Sequence, residues 1–364
     1  MTEEDEVSGR NPGAQSFRVA VLVLNYNGVR WLRTCLPSLL HSAARGFGIF
    51  VVDNGSTDGS LEYVRSHFPQ FGILSFDSNL GFAKGYNEAM KLVSADYVVL
   101  LNNDTAILSN DWIDHLVKLI ERDSSVAAVQ CKLVSFADHK KLDSVGVMGE
   151  RYWQGFSDIG RSETDKKQYD LPPITPFAIS GAGALVRRST FLEVGGFDSK
   201  FFAYDEDVDL SWRFRLAGYR LVYQPLARVA HARLGSFGLS PDAFQTYLIR
   251  RNLLRMLMKN CGQLTFRWAL RNYLILSCLM FFGHLVMRDR KALALVKALL
   301  WNIVYFKDTY AKRLEIQPRR KCSEEAILRY MFPNFAYHPL QHERLRRTLD
   351  AVFAKGVGMN SWIR

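Results

Sequence analysis

The chain has 364 residues, 48% of them hydrophobic and 23% charged, with a formal net charge of +11. These fractions exclude an intrinsically disordered chain, and the length allows one large domain with an appendage or two ordinary domains. The five cysteines (Cys35, Cys131, Cys261, Cys278 and Cys322) are scattered, with no CxxC pair, which argues against a disulfide framework or a zinc site and for a reducing compartment.

The opening MTEEDEVSGRNPGAQS is acidic and polar without an apolar run, so a disordered tail over residues 1–16 and no signal peptide are expected. From Phe17, apolar runs alternate with helical patterns. FRVAVLVLNYN reads as a buried strand and VRWLRTCLPSLLHSA as a helix with an irregularity at Pro37. GIFVVDNGSTDGS, FGILSFDSNLGF and ADYVVLLNNDT read as further strands running into polar loops, with helices SLEYVRSHF and AKGYNEAMKLVS between them. Apolar strands each followed by a helix predict a parallel sheet covered on both faces, whose ligands bind beyond the carboxyl ends of the strands. Those ends read Asn25-Tyr26-Asn27, Asp53-Asn54-Gly55, Asn79-Leu80-Gly81 and Asn102-Asn103-Asp104. Polar groups thus recur at one sheet edge.

After about Asp111 the pattern is mixed: a helix WIDHLVKLIER, a strand VAAVQCKLVSF, then a polar, aromatic stretch from 138 to 176 that reads as loops or a lid. AISGAGALVRRSTF resumes order and leads into FFAYDEDVDLSWRFRLAGYR, where Asp205, Glu206, Asp207 and Asp209 stand within five residues among aromatics. Like charges that close raise one another's pKa and mark a candidate functional site. Equally, acids in a first helical turn complement the macrodipole, and Asp209 with Arg213 has the spacing of an i,i+4 pair. Gly218 suits a helix C-terminus, before YRLVY and VAHARLGSFG.

From Ser240 the character changes. Residues 1–240 carry 25 Lys+Arg against 28 Asp+Glu, whereas 241–364 carry 22 against 8. All of the basic excess lies in that last third, which predicts an anionic partner there. FQTYLIRRNLLRMLMKN reads as a basic amphipathic helix. YLILSCLMFFGHLVM and ALALVKALLWNIVYF follow, each about 15 apolar residues against the roughly 20 a spanning helix needs, so interfacial or core helices are expected. The tail beyond Leu314 is basic and less patterned.

In their order, VVDNGSTDGS, NLGFAKGYN, LLNNDT, SGAGALVRR and FFAYDEDVDLSWRFRLAGYR resemble the family 2 glycosyltransferases, in their rhamnosyltransferase-like branch, from about Arg18 to Gly238. The resemblance implies a GT-A fold, an α/β Rossmann-like nucleotide-diphospho-sugar transferase domain, over 17–240, with a mainly helical, basic region over 241–364. It implies an inverting enzyme that moves a sugar, L-rhamnose in this branch, from a dTDP- or UDP-linked donor to a glycan acceptor in cell-surface polysaccharide synthesis. The carry-over assigns the donor nucleotide to Asn25, Asn27, Asp53, Asn79, Gly81, Lys84, Asn87, Asn102 and Asn103. A carboxylate such as Asp53 suits the N3–H and hydroxyl donors of a pyrimidine nucleoside, while Asp58 is suited to cap the following helix. Mg2+ or Mn2+ falls to Asp104 and His231, although Asn102 stands where the family's metal motif has its first Asp. Gly181, Ala182, Gly183 and Glu206 form the acceptor side and sugar floor, Asp207 is the base, and Asp209 secures its helix through Arg213. Asp205 has no assignment.

Charge and periodicity in the last third add an anionic membrane surface as partner, and with it a polyprenyl-linked acceptor; no nucleic-acid partner is expected. The expected location is cytoplasmic, peripheral on the inner face of the cell membrane. The alternatives are a sugar nucleotidyltransferase, which NYNGVRW after the first strand does not favour, and a non-catalytic sugar-nucleotide-binding assembly protein.

Overall fold

The structure is a computed structural model and describes residues 16–150, 155–233 and 242–332. The tail expected over 1–16, Ser16 apart, and the last part of the basic tail lie outside these residues.

The chain alternates as the apolar runs require: β1 (Ser16–Asn25), α1 (Val29–Ser38), α2 (Leu40–Ala44), β2 (Gly48–Asp53), α3 (Ser60–His67), β3 (Gly72–Ser75), α4 (Gly81–Leu92) and β4 (Ser94–Asn102). The irregularity at Pro37 is the break between α1 and α2. Then come β5 (Thr105–Ile107), α5 (Trp112–Glu121), β6 (Val126–Ser135), β7 (Leu142–Ser144), β8 (Val147–Glu150), β9 (Phe156–Asp158), β10 (Gly183–Arg187), α6 (Arg188–Glu193), α7 (Glu206–Leu216) and β11 (Arg220–His231). Helices α8 (Ala243–Asn260), α9 (Gln263–Val286), α10 (Lys291–Val304), α11 (Phe306–Ile316) and α12 (Glu324–Leu328) follow, then the short β12 (Met331–Phe332).

The main sheet has the order β3-β2-β1-β4-β10-β6-β11-β5, with β7 beside β6. Strands β1 to β4 pair in parallel, as expected, whereas β10 runs antiparallel between β4 and β6. Successive side chains of a strand point to opposite faces, and β1 divides its residues accordingly. Val19, Val21 and Val23 pack with Leu32, Leu36, Trp112 and Leu116 on one face; Ala20 and Leu22 pack with Tyr86 and Met90 on the other. Burying each such Val or Leu stabilises by roughly 1.5–3 kcal/mol. A sheet covered this way leaves only its strand ends for a ligand.

Three expectations need correction. The stretch 138–176 is not only loops, because β7 extends the main sheet and β8 pairs with β9 and β12 in a second, three-stranded sheet. Helix α8 is not an amphipathic surface helix. Its bases turn inward, Arg255 being fully buried and Lys259 1% exposed, because Asp198, Asp209 and Asp308 wait there to pair with them. Helix α9 is one continuous helix of 24 residues, and among the described residues it alone is long and apolar enough to cross a membrane, over Thr265–Val286. The helix is longer than its apolar core because Gln263 to Asn272 continue it over the third hydrophobic cluster, where Trp268, Ala269 and Tyr273 pack with Trp212 and Leu257.

Candidate active site

The ends of β1, β2 and β4 are joined by a buried polar network. Asn25, fully buried, donates from Nδ2 to Asp53 Oδ1 and Ser56 Oγ, both at 3.1 Å. Its Oδ1 accepts from Asn103 Nδ2 at 2.7 Å. Asp53 also accepts from the Ser56 backbone at 3.0 Å. Asn27, at φ 47°, accepts from the Thr57 backbone at 2.8 Å. Asp58 caps differently from the expectation: one oxygen accepts from the Ser60 backbone and the other from the Val29 backbone across the site, so it serves both α3 and α1.

The NLGF segment is held by Asn54, which sequence reasoning passed over. Its Nδ2 donates to Asn79 Oδ1 at 3.0 Å and to the Gly81 carbonyl at 3.1 Å, and its Oδ1 accepts from the Leu80 backbone. Lys84 is exposed on α4. Asn87 faces elsewhere: its amide bonds the 197–199 loop through the Phe197 backbone and Ser199. The resemblance gives Asn87 to the donor nucleotide, whereas here its amide is taken up by that loop.

The second half of the site forms around residues 179–183. Three successive backbone N–H groups are each received by a side chain: Ile179 by Ser211 Oγ at 3.1 Å, Ser180 by Gln130 Oε1 at 2.6 Å, and Gly181 by Asp207 Oδ2 at 2.8 Å. A Cβ on Gly181 would lie 2.6 Å from the Phe82 ring, so only glycine admits this approach. The Ala182 carbonyl then accepts from the Asn102 backbone at 3.2 Å. One short segment thus connects Asp207 to the end of β4.

Among the described residues Asp205, Glu206 and Asp207, at the start of α7, make no salt bridge, although the charge of Arg250 acts on Asp205. Burial, then the neighbouring Asp207, pushes Asp205 up to about 7. Burial raises Asp207 to about 6, although the Gly181 and Val208 N–H groups oppose it. Glu206 is raised well above the carboxylate range by burial and by Asp207, and its Oε2 has no partner among the described residues. Asp209 differs. It is fully buried and meets Arg213 at 3.0 Å, Lys259 at 3.0 Å and Asn260 at 2.9 Å, a structural role in line with the expected Arg213 pair.

Across the site, His231 ends β11 beside Asp104. Its Nε2 lies 3.4 Å from Asp104 Oδ1 and its Nδ1 lies 2.8 Å from Asp143 Oδ2. Burial alone would lower the imidazole, but its two carboxylates outweigh that and push it up to about 9. Burial likewise opposes the ionised form of Asp143, yet His231 and Arg233 hold it below the ordinary value. Arg233 bridges Asp143 to Asp158. Among the described residues no group of three His, Cys, Asp or Glu converges on one metal position. Asp104 and His231 stand together as the resemblance expects, but here both ring nitrogens are engaged by carboxylates, so a divalent cation would have to replace the Nε2 proton of His231. The Asp143 contact behind the ring is one that metal-bound histidines commonly have, and such ions take further ligands from substrate phosphates and water.

Residues 20–195 match the family model Glycosyl transferase family 2. N-acetylglucosaminyl-diphospho-decaprenol L-rhamnosyltransferase of Mycobacterium tuberculosis is 29% identical over 304 residues, covering 76% of this chain and 97% of that protein. The mannosyltransferase PcManGT from Pyrobaculum calidifontis, solved with GDP-Man and Mn2+, has a TM-score of 0.50 at 17% identity, covering 87% of this chain and 86% of that one. GalNAc-T7, solved with UDP, GalNAc and Mn2+, has a TM-score of 0.53 at 16% identity, covering 68% of this chain and 48% of that one. At those identities the structural likeness concerns the fold, and it agrees with the expected GT-A class.

Proposed function

The chain carries a family 2 glycosyltransferase domain, and on that premise we propose an inverting transfer of L-rhamnose from a dTDP- or UDP-linked donor to a polyprenyl-diphosphate-linked glycan, in cell-surface polysaccharide synthesis. The relative named as a decaprenol-linked rhamnosyltransferase, of which this chain covers nearly the whole length, supports that choice of sugar and acceptor.

Asp207 takes the proton of the acceptor hydroxyl as that oxygen attacks the anomeric carbon. The observation that carries this reading is its setting: a half-buried carboxylate raised to about 6, bonded to Gly181 in the segment that runs on to Asn102. A base poised near neutrality can both remove the proton and be ionised at working pH. Glu206 binds acceptor hydroxyls, and Gly181 to Gly183 let the sugar approach backbone. The Asn25–Asp53–Asn103 network and the Asn54-held NLGF turn receive the nucleoside. Asp104 and, once its Nε2 proton is released to solvent, His231 would hold Mg2+ or Mn2+, which would neutralise the leaving diphosphate. Asp143 keeps the His231 ring turned toward Asp104.

The acceptor's lipid brings the enzyme to the cytoplasmic face of the membrane. Phe282, Leu285 and Val286 at the end of α9 and Leu300, Ile303 and Val304 on α10 are all more than half exposed, beside Arg288, Arg290, Lys291 and Lys297. Helix α9 is about 36 Å long at 1.5 Å per residue. One face of its first half, through Trp268, Ala269, Asn272 and Tyr273, is buried in the protein. The apolar surface left on its second half lies on anionic lipid rather than crossing it.

The test is transfer from dTDP-, UDP- and GDP-sugars to a polyprenyl-linked acceptor with Mg2+ or Mn2+, for wild type and Asp207→Asn. Turnover of no donor defeats the enzymatic proposal, and a wild-type rate in Asp207→Asn defeats the base assignment. Flotation with anionic vesicles, before and after Phe282→Ser with Ile303→Ser, tests the lipid contact; equal flotation removes it.

A further inference from the structure

The strap before α7 holds a conformation that its sequence does not favour. Phe202, Tyr204 and Asp205 have φ of 67, 71 and 62°, in the left-handed region that bulky side chains rarely enter. Such backbone persists where its surroundings over-determine it. Two elements do so here.

On the donor side, the Phe202 carbonyl accepts from the Phe82 and Ala83 backbones at 2.6 and 3.3 Å, at the start of α4. Gly81, at φ 78°, makes room, since a Cβ there would lie 2.5 Å from the Phe202 ring. On the other side stands α8. Asn252 is fully buried, and its Nδ2 lies 3.2, 2.9 and 2.8 Å from the carbonyl oxygens of Phe201, Ala203 and Tyr204. Arg251 Nε donates to Asn252 Oδ1 at 3.0 Å, which fixes the amide so that its N–H groups face the strap. Arg251 Nη2 donates to the Lys200 and Phe201 carbonyls at 3.0 and 2.7 Å. Asn302 of α10 in turn donates to the Arg251 carbonyl at 3.0 Å.

We propose that Asn252 is a positioning residue for sugar transfer: by gripping the 201–205 strap it sets where α7 begins, and so where Asp207 stands against Gly181. The chemistry suits an amide, which offers two N–H donors to a row of carbonyls; a carboxylate offers none, and a leucine of similar shape is mute. Helix α8 is then part of the catalytic unit rather than an appendage to it. The proposal rests on the glycosyltransferase reading above.

A purely structural Asn252 would alter stability without altering turnover per folded molecule, so the experiment separates the two. Full-length Asn252→Ala is compared with Gln317→Ala, which removes an amide bonded to the last carbonyls of α8, away from the strap. Tm, kcat, dTDP and UDP affinity by calorimetry with Mn2+, and amide exchange over 201–207 are measured. Asn252→Ala is expected to lower kcat roughly 10- to 100-fold, the scale of a misplaced catalytic group, to speed exchange in the strap, and to leave nucleotide affinity unchanged. Gln317→Ala keeps wild-type kcat and strap exchange. Unaltered strap exchange in Asn252→Ala overturns the clamp, whether or not a donor has been identified. Unaltered kcat, or an equal kcat loss in Gln317→Ala, overturns the positioning role. Should Asn252→Ala not fold, Asn252→Ser leaves one donor in place of two; faster strap exchange with lower kcat is expected, and wild-type values of both overturn the proposal. A wild type that turns over no donor breaks the functional reading instead, before any variant is compared.

Discussion

Two acidic clusters face the same site and handle buried charge in opposite ways. Around His231, Asp104 and Asp143 have an imidazole between them and Arg233 beside them, and Asp143 is held below its ordinary pKa. At the start of α7, Asp205, Glu206 and Asp207 have no salt bridge among the described residues, and all three are raised. The acids of the first cluster are ionised and matched by bases, so a cation entering there has to displace the His231 proton. The second keeps its protons near neutrality, which suits a group that must take one up and release it. Neighbouring Asp209 sharpens the contrast. Two residues from Asp207, it meets Arg213, Lys259 and Asn260 and belongs electrostatically to the first kind.

The contrast breaks most severely at Asp207. Asp207→Asn keeps the hydrogen bond from Gly181 but cannot accept the proton, and kcat is expected to fall by roughly 10²–10⁴-fold with nucleotide affinity intact. Loss of nucleotide binding in the same variant would show that the residue shapes the donor site. On the other side, Asp143→Asn removes the charge that orients His231. Activation by Mn2+ is expected to require about 10–100-fold more metal, read from a titration of rate against metal, whereas an unchanged titration would leave the His231 cluster a purely structural one. A third expectation concerns shape rather than size. With Asp207 raised to about 6, kcat/KM falls as pH drops through about 6; a limb near the ordinary carboxylate value would mean that burial does not tune this group.

The sequence announced the second cluster and half of the first. Four acids within five residues, and strand ends repeating Asn and Asp, are local patterns, so β1 to β4 and Asp207 could be found by reading along the chain. Asp143 could not. It lies 88 residues from His231 on a three-residue strand, in a stretch whose polar composition resembles a loop. Asn252 was hidden by its company, since a lone amide among arginines and leucines on α8 reads as a solvated face. The bases of α8 misled for the same reason: charge on a helix is normally solvent-facing, and only the tertiary placement of Asp198 and Asp209 turns it inward. Helix α9 was underestimated because its first ten residues carry arginines and polar groups while packing on α8.

The smallest effect expected is also the most diagnostic of how the α7 cluster is built. Asp205 has a folded pKa of about 7 against an ordinary 3.8, so between those values the folded protein holds a proton that the unfolded chain has released. By linkage, the stability contribution of Asp205 is undiminished below pH 4, declines as pH rises toward 7, and is constant above it. Asn cannot ionise, and it tolerates the left-handed backbone at φ 62° better than most residues. Asp205→Asn is therefore expected to raise Tm at pH 8 by about 2–4 °C, the shift that 1 kcal/mol produces in a domain of this size. At pH 4 the variant and wild type should melt together. A gain of equal size at both pH values would assign the effect to backbone conformation, and a loss at pH 8 would mean that the charge of nearby Arg250 outweighs burial at Asp205.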